Sequence, residues 1–348
     1  MSKRLLFITP IFPQNISEDH VVPFVSQFSR QFENITDCEI DVISLMYPFT
    51  KEKYSLGNIN VYPIGSNFKP FSKQIPHLFK AILKGRSLHK RHKYDGVLCF
   101  WYRESALVGK VLCYLLKIKQ VVWMHGQDIN EDNKYISLLK IPQQQLVMIS
   151  LQQSDFFFQN HKIRTRKIAN VAVSRNLFPL FNEEERPYDV VGIGNLGALK
   201  NYALFIDIIS LLERKNYNVI IIGDGEEMNM LKEKCKQLGL SDIIHFLGKL
   251  THKEVLDYLN KSKVFLHTSK SEGGATVVQE ALYSGCKVVC TINVENSFEG
   301  DHFYFSTDKE QIANQVATLL SKPLEHKRIE NFKMEDSIKI IYNSFYND

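Results

Sequence analysis

Two glutamates, Glu272 and Glu280, lie eight residues apart where an apolar strand pattern gives way to a helix pattern. The loop between them contains Gly273 and Gly274, and glycines let backbone N–H groups approach a phosphate closely. If the helix begins near Ala275, both carboxylates can face one ligand and accept hydrogen bonds from the hydroxyls of ribose or a sugar. A helix N-cap followed by a surface glutamate would give the same pattern, but Glu280 lies among apolar residues in the sequence.

A second candidate phosphate site is the segment Gly192-Ile193-Gly194-Asn195-Leu196-Gly197, which follows a strand pattern and precedes a helix pattern. It matches the GxGxxG dinucleotide fingerprint, and the free N–H groups of a helix start attract anions. Lys200 at the helix start would add a charged donor. A dinucleotide site also needs an acid about 20 residues further on, whereas the nearest candidate, Asp224, stands 27 residues past Gly197. A tight turn with a solvated lysine remains the alternative.

The turn Gly223-Asp224-Gly225 follows the apolar strand pattern Val219–Ile222. Glycine and aspartate favour tight turns, so turn formation alone would explain these residues. The turn also lies at the carboxyl end of a strand, which is where doubly wound sheets bind ligands. The sequence leaves both interpretations open.

Apolar strand runs alternate with longer amphipathic stretches along the whole chain, and this alternation is typical of parallel βα units. The pattern predicts strands at 155–158 and 167–173 and a helix at 135–151 in the first half, and it restarts near residue 188. Prolines and an acidic cluster between 174 and 187 predict a linker. The prediction is an α/β fold with two doubly wound Rossmann-like domains, 1–184 and 185–330, that face a central cleft.

The composition fits two cytoplasmic domains. The chain has 348 residues, of which 44% are hydrophobic and 23% charged, so it can form full cores. No apolar run approaches the roughly 20 residues of a membrane span, and the first residues lack the pattern of a signal peptide. The six cysteines include no CxxC pair, and neither they nor the 11 histidines have metal-ligand spacing. We therefore expect a cytoplasmic protein with structural thiols and no metal site.

Charge is distributed unevenly, which predicts different partners for the two halves. Residues 1–184 carry a net charge of +9 and residues 185–348 one of −4, and the stretch 53–94 has nine basic residues and no acidic one. Residues 68–93 combine this charge with apolar side chains. An amphipathic helix that packs on its own sheet is one interpretation, and docking to an anionic membrane surface is the other. Nucleic acid is a poorer explanation, because no recognised binding motif accompanies the basic residues.

The second half resembles the retaining GT-B glycosyltransferases of family four, the glycosyl transferases group 1, closely over residues 188–292. The matching elements occur in order: Gly194-Asn195-Leu196 with Lys200-Asn201, Gly223-Asp224-Gly225, His245-Phe246-Leu247-Gly248, and Ser269 with Glu272-Gly273 and Glu280-Ala281. In the first half the resemblance rests on architecture and on His125-Gly126-Gln127-Asp128 after an apolar strand. Residues 331–348 resemble the family's terminal helix, which crosses back onto the first domain.

The resemblance implies a nucleotide-diphosphate sugar as donor substrate, UDP- or GDP-linked, and no further cofactor. Lys200 and the helix-start amides would stabilise the diphosphate leaving group; those amides belong to Gly273, Gly274, Ala275 and Thr276. Glu272 would hold a hydroxyl of the donor sugar, and His125 would reach the sugar from the first domain. His125, Lys200 and Glu272 are thus the predicted catalytic residues. Sugar transfer would proceed with retention, by front-face attack on an oxocarbenium-like state.

The remaining donor contacts follow in the same way. Glu280 would accept hydrogen bonds from the ribose. Three further segments would frame the nucleotide: Gly194 with Asn195, the turn around Gly223 and Asp224, and the segment with His245 and Phe246. No Asp-x-Asp motif occurs, in keeping with GT-B enzymes, whose lysine and amides take the place of a metal. The implied acceptor is a hydroxyl of a glycan or lipid-linked glycan, in cell-surface polysaccharide or related synthesis.

Two departures from the family pattern keep alternatives open. Asn195 stands where the family usually has arginine, so one positive charge is missing, which Lys270 or Arg175 would have to replace. Gly274 stands where many members have an aromatic residue, which opens room near the sugar. A non-catalytic nucleotide-sugar-binding partner subunit is therefore the main alternative. A nicotinamide-dependent oxidoreductase is a weaker one, because it leaves Lys200 and the two glutamates unexplained.

Overall fold

The computed structural model describes residues 3–15, 18, 21–67, 71–182, 186–213, 216–294, 302–321 and 323–346, with the side chains of residues 71 and 72 left out. The chain forms two compact units. The first runs to Ala172 and includes the chain from Phe332 onward, and the second runs from Val173 to Asn331. The predicted α/β class with two Rossmann-like domains is confirmed. The second unit begins ahead of the predicted boundary at 185, because the linker packs into it through Arg186.

The first unit contains an eight-stranded sheet in the order β3-β4-β2-β1-β5-β6-β7-β8, in which β3 and β4 pair antiparallel and the others pair parallel. Its strands are β1 (Arg4–Ile11), β2 (Glu39–Tyr47), β3 (Tyr54–Leu56), β4 (Ile59–Pro63), β5 (Gly96–Phe100), β6 (Lys119–Met124), β7 (Leu146–Met148) and β8 (Lys167–Ile168). Its helices are α1 (Pro23–Thr36), α2 (Phe71–His92), α3 (Glu104–Leu116), α4 (Lys134–Leu139), α5 (Leu151–His161) and α11 (Met334–Tyr346).

Helices cover both faces of this sheet, as the buried parallel strands require. One core joins α2 and α3 to one face, and a second core joins α1 and α11 to the other. Gly96 allows the last helix to approach, because a Cβ there would lie 2.5 Å from the ring of Phe345.

Three predicted elements in the first half differ from the structure. The predicted strand at 155–158 lies inside α5, which begins after Ser150, whose side chain accepts a hydrogen bond from Gln153 N. The three consecutive phenylalanines there resemble a buried strand, but only Phe157 lies in the core. The predicted helix at 135–151 ends at Leu139 instead, and the buried strand β7 follows. The predicted strand at 167–173 is only two residues long, β8.

The second unit contains a six-stranded, wholly parallel sheet in the order β11-β10-β9-β12-β13-β14. Its strands are β9 (Tyr188–Ile193), β10 (Val219–Ile222), β11 (Ile244–Gly248), β12 (Ser262–His267), β13 (Lys287–Cys290) and β14 (Phe303–Phe305). Its helices are α6 (Tyr202–Ser210), α7 (Met228–Gln237), α8 (His252–Asn260), α9 (Thr276–Tyr283) and α10 (Lys309–Leu320). Strands β10, β12 and β13 are nearly continuous buried runs. One core lies on each face of the sheet, as expected for a sheet covered on both sides.

Candidate active site

The predicted motifs of the second unit meet at one edge of its sheet. Strands β10, β9 and β12 are neighbours and run parallel. Their carboxyl ends therefore lie at the same edge, and the loops that follow them carry the three motifs. These loops span 194–201 after β9, 223–227 after β10 and 268–275 after β12. The topology brings a glycine-rich turn, a lysine and an acidic loop to the edge at which such sheets bind ligands.

The first two loops are tied together by their backbones. Gly194 N donates to Ile222 O at 3.0 Å, and Leu196 N donates to the carbonyl of Asp224 at 3.0 Å. The side chain of Asn195 donates to the same Asp224 carbonyl at 3.1 Å. Asn195 therefore helps to hold the turn at Asp224. This role is structural and needs only the neutral amide of Asn195.

Gly223 makes this junction possible. Its φ is +139°, and a Cβ there would lie 1.8 Å from the carbonyl oxygen of Gly194. We expect Gly223→Ala to lower the free energy of unfolding by more than about 3 kcal/mol, because backbone strain and steric overlap add. Gly239→Ala is the matched control: its φ is +68°, but nothing lies within 4 Å of the added carbon. It should cost only about 1–2 kcal/mol. Urea denaturation compares the two, and equal losses would contradict the steric explanation.

Lys200 and Glu272 form an ion pair between the first and third loops. Two further groups donate to the same carboxylate oxygen, Oε1: His267 Nε2 at 3.0 Å and Ser269 Oγ at 2.7 Å. A side chain also joins the two loops, since the Thr268 hydroxyl Oγ1 donates to the backbone carbonyl of Lys200 at 3.0 Å. The predicted phosphate-binding lysine and the predicted sugar-binding carboxylate are thus direct neighbours.

These contacts keep Glu272 ionised. Burial by itself raises the pKa of this carboxyl, but the hydrogen bond from His267 and the charge of Lys200 outweigh it and lower the pKa to about 2. Glu272 is therefore a hydrogen-bond acceptor throughout the neutral and moderately acidic range. Its charge also raises the pKa of the Tyr202 hydroxyl, for which burial is the larger cause.

Glu280 lies in α9 and is 9% exposed. Its Oε1 lies 2.7 Å from Nε2 of His252, the first residue of α8. The start of α8 is fixed by a capping box in which Thr251 and Glu254 exchange hydrogen bonds. The carboxylate predicted to bind ribose is therefore held by an imidazole from another helix.

Two helices begin at this edge without a side-chain cap. Both N-cap residues are left-handed, Asn201 before α6 with φ +53° and Ala275 before α9 with φ +43°, and neither accepts a side-chain capping bond. N–H groups in the first turn of a helix have no partner within the helix and attract anions. Lys200 directly precedes the N-cap residue of α6, so this edge presents two helix starts and the cation of Lys200 to a ligand.

The other predicted donor residues lie in the loop after β10 and on β11. Asp224 is exposed, and its Oδ1 accepts a hydrogen bond from Gly225 N at 2.8 Å. His245 and Phe246 lie inside β11, beside Ile220 and Ile221 of β10, rather than at its carboxyl end. His245 is exposed, and the Phe246 ring lies 5.9 Å from Nζ of Lys232.

His125 belongs to the first unit, in the turn after β6. Asp128 shapes this turn by accepting hydrogen bonds from the backbone N–H groups of His125, Gly126 and Tyr102 at 2.7–2.9 Å. Four aromatic rings surround the imidazole at 4.6–6.0 Å between centroids; they belong to Phe24, Phe100, Trp101 and Trp123. Within the described chain both ring nitrogens are buried without a hydrogen-bond partner. Burial lowers the pKa of His125 to about 3, so the ring is neutral.

The structure places both residues that were suggested as replacements for the missing arginine charge. Arg175 makes a bidentate pair with Glu330 at 2.6 and 2.8 Å. Lys270 is exposed, and its backbone N–H donates to Leu199 O at 2.9 Å. Lys200 is the one lysine or arginine among the described residues that is paired with Glu272.

The described part of the chain contains no group of three or more His, Cys, Asp or Glu side chains that could hold a metal ion. None of the helices described in it has the length and apolar character needed to cross a bilayer.

Sequence reasoning missed His267 and His252. His267 was part of a strand pattern, and its position five residues before Glu272 was the only signal. His252 lies 28 residues before Glu280. Only the packing of α8 beside α9 brings the two together, and no local pattern indicates it.

Comparison with known proteins places the chain beside glycosyltransferases. The model of the family described as Glycosyl transferases group 1 matches residues 174–335. An uncharacterized glycosyltransferase of Haemophilus influenzae is 24% identical over 281 residues, which is 75% of each chain. The amylovoran biosynthesis glycosyltransferase AmsD of Erwinia amylovora is 24% identical over 205 residues, 55% of this chain and 57% of its own. The structure of Anabaena Alr3699/HepE in complex with UDP-glucose aligns with a TM-score of 0.68 at 15% identity, covering 98% of this chain and 93% of that one.

Proposed function

Because the chain carries a glycosyl transferases group 1 domain and has the GT-B fold, we propose that it transfers a sugar from a nucleotide-diphosphate sugar to an acceptor hydroxyl, with retention of configuration and without a metal. The observation that carries the proposal is the ion pair of Lys200 with Glu272 between two uncapped helix starts. This arrangement offers a cation and helix-start N–H groups to a diphosphate. It also offers a carboxylate that stays ionised to a neighbouring sugar hydroxyl.

In the proposed reaction the donor diphosphate lies against Lys200 and the start of α9. As the bond to the sugar breaks, negative charge grows on the departing phosphate, and these fixed donors stabilise it. They would do the work that a metal performs in other transferases. The departing phosphate oxygen would accept the proton of the acceptor hydroxyl, which attacks from the same face.

In this proposal, different carboxylates accept hydrogen bonds from the nucleoside and from the sugar. Glu280 accepts from the ribose hydroxyls, and Glu272 accepts from a hydroxyl of the sugar. The absence of a side chain at Gly274 leaves room beside the sugar. We assign His125 to the donor sugar as well, as the neutral ring that its low pKa implies. UDP and GDP sugars are the first donors to test, since the Anabaena protein was solved with UDP-glucose.

The proposed acceptor is a glycan or lipid-linked glycan. Support comes from the kind of relative found, because the Erwinia amylovora protein acts in amylovoran biosynthesis according to its name.

Thermal-shift measurements with UDP-, GDP-, ADP- and CMP-linked sugars and the free diphosphates test the donor site. Ligand at about 100 times Kd should add about 2.7 kcal/mol of stability. One nucleotide should stabilise the wild type, and Lys200→Ala and Glu280→Ala should both lose that effect. No shift with any nucleotide would remove the proposal.

A non-catalytic donor-binding subunit is the second candidate. Asn195 motivates it, since a neutral amide that donates to the Asp224 carbonyl stands where the family usually has arginine. The two candidates differ in turnover. An enzyme releases free nucleotide from its donor slowly in water and faster with an acceptor, whereas a binding subunit shows the thermal shift without release even after acceptors have been screened.

We also propose that α2 contacts an anionic membrane surface. Residues 68–70 lie outside the described residues, but the helix Phe71–His92 is present. Ile75, Phe79 and Leu83 follow each other at i, i+4 and i+8, and their exposed fractions are 55%, 61% and 48%. Exposed basic residues flank this apolar stripe; they are Lys73, Lys80, Lys84, Arg86, Lys90 and Arg91. Each basic residue near anionic lipid contributes about 1 kcal/mol.

We expect co-sedimentation with vesicles that contain phosphatidylglycerol, and little with neutral phosphatidylcholine vesicles. Replacing Ile75, Phe79 and Leu83 together by serine should weaken binding at least about 10-fold, because the stripe can then no longer enter the interface. Ile35→Ser is the control, since Ile35 is an exposed residue of α1, which packs on the other face of the sheet. Equal binding to neutral and anionic vesicles would overturn the proposal, and so would unchanged binding by the triple serine variant.

A further inference from the structure

Both carboxylates of the site are held in the same way. Glu272 and Glu280 each use Oε1 to contact Nε2 of a histidine, at 3.0 Å from His267 and 2.7 Å from His252. The hydrogen bonds that the described chain makes to these carboxylates all end on Oε1. In both residues the second oxygen, Oε2, is left for another donor.

His267 is suited to fix the orientation of Glu272. It is 3% exposed, ends the central strand β12, and lies 5.6 Å from the ring of Phe265 in a stacked arrangement. Because Glu272 is ionised, the nitrogen that faces it carries the proton and donates. Three donors converge on Oε1, but one of them is Lys200. A diphosphate that attracts Lys200 would leave His267 and Ser269 to hold the carboxylate.

His252 is suited to fix Glu280 for a similar reason. It is the first residue of α8, whose capping box fixes its backbone. Its side chain and that of Glu280 are 10% and 12% exposed, so both retain some access to solvent or a ligand. The two partners sit on different helices, α8 and α9, and their contact sets how far the carboxylate can rotate.

We propose that His267 and His252 are positioning residues that each occupy one oxygen of a carboxylate and turn the other toward the ligand. His252 then determines how tightly the ribose is held, and His267 how tightly the donor sugar is held. This inference rests on the proposed function and deepens it, because it divides recognition of the donor between two histidine–carboxylate pairs.

Calorimetric titration of the full chain with UDP, UDP-glucose and 2′,3′-dideoxy-UDP tests the division, with the GDP series in parallel. His252→Leu should weaken binding of UDP and of UDP-glucose about 10-fold or more, and leave dideoxy-UDP unchanged because it has no ribose diol. His252→Gln should restore most of the loss, since its amide can donate from a similar position. His267→Leu should leave UDP unchanged and weaken UDP-glucose about 10-fold or more, and His267→Gln should restore it.

His267 is buried, so His267→Asn provides a second variant that keeps a polar group but is too short to reach Glu272. Thermal melts without ligand identify any variant that does not fold. A purely structural role predicts equal losses for all three ligands, and that result would overturn the inference while leaving the proposed function intact. Unchanged affinities in every variant would also overturn the inference and leave the proposed function intact. If the thermal-shift panel identifies another nucleotide, its series replaces those of UDP and GDP. A wild type that binds no nucleotide of the panel would instead overturn the proposed function, and this inference with it.

Discussion

Lys200→Ala is expected to lower kcat/KM for sugar transfer by about 10³-fold or more. Removing one fixed donor from a site of developing negative charge typically costs 10²–10³ in rate, and Lys200 is a full cation rather than a neutral donor. Asn195 carries no charge, and Arg175 is occupied by Glu330. Among the described residues Lys200 is the one lysine or arginine that is paired with Glu272, so its replacement removes that charge from the pair. Steady-state kinetics with the donor identified in the thermal-shift panel measure the effect.

The loss should appear in kcat as well as in KM, because the charge on the diphosphate is greater in the transition state than in the ground state. Lys263→Ala is the matched control. Lys263 also forms an ion pair across neighbouring strands, with Asp189 at 2.7 Å, but at the amino end of β12. It should change kcat/KM by less than about 3-fold. A loss that is confined to KM would show that Lys200 binds the donor without stabilising the leaving group.

The sequence predicted the site well where the chemistry is local. The glycine turns, Lys200 and the acidic loop follow strands, and parallel strands bring such loops to one edge of a sheet. The positions of Gly194, Gly223 and Glu272 at this edge follow from that rule alone. What the rule does not supply is the partner of each side chain.

The partners depend on packing between elements that are distant in the sequence. His252 reaches Glu280 only because α8 and α9 pack side by side, and Asn195 bonds to a turn 29 residues away. The aromatic surroundings of His125 come from three separate segments of the first unit. The same limit explains the error at 155–158, where three phenylalanines suggested a strand although the cap at Ser150 begins a helix.

Arg186→Ala is expected to lower the stability of the second unit by about 3–5 kcal/mol. Arg186 is 6% exposed, and its guanidinium donates to four carbonyl oxygens at 2.7–3.3 Å. These belong to Asn182, Leu259, Ser262 and Ser284. Burial lowers the pKa of Arg186, but the charge is favoured by its position near the C-terminal ends of α8 and α9. The alanine variant would remove the guanidinium donor from all four carbonyls, although Cys286 Sγ still donates to those of Leu259 and Ser262. A buried carbonyl left without a donor is costly.

Arg175→Ala is the matched control, since the Arg175 guanidinium also donates hydrogen bonds, to Glu330, but its side chain is 46% exposed. Exposed ion pairs contribute about 0–1 kcal/mol, so this variant should be nearly as stable as the wild type. Native-state hydrogen exchange is the appropriate measurement, because a chain of two units need not unfold in one step. The amides of β9 and β12 should lose protection in Arg186→Ala while those of β1 and β5 keep it. Equal effects of the two variants would mean that the buried carbonyls find water, and that Arg186 does not hold the linker to the second unit.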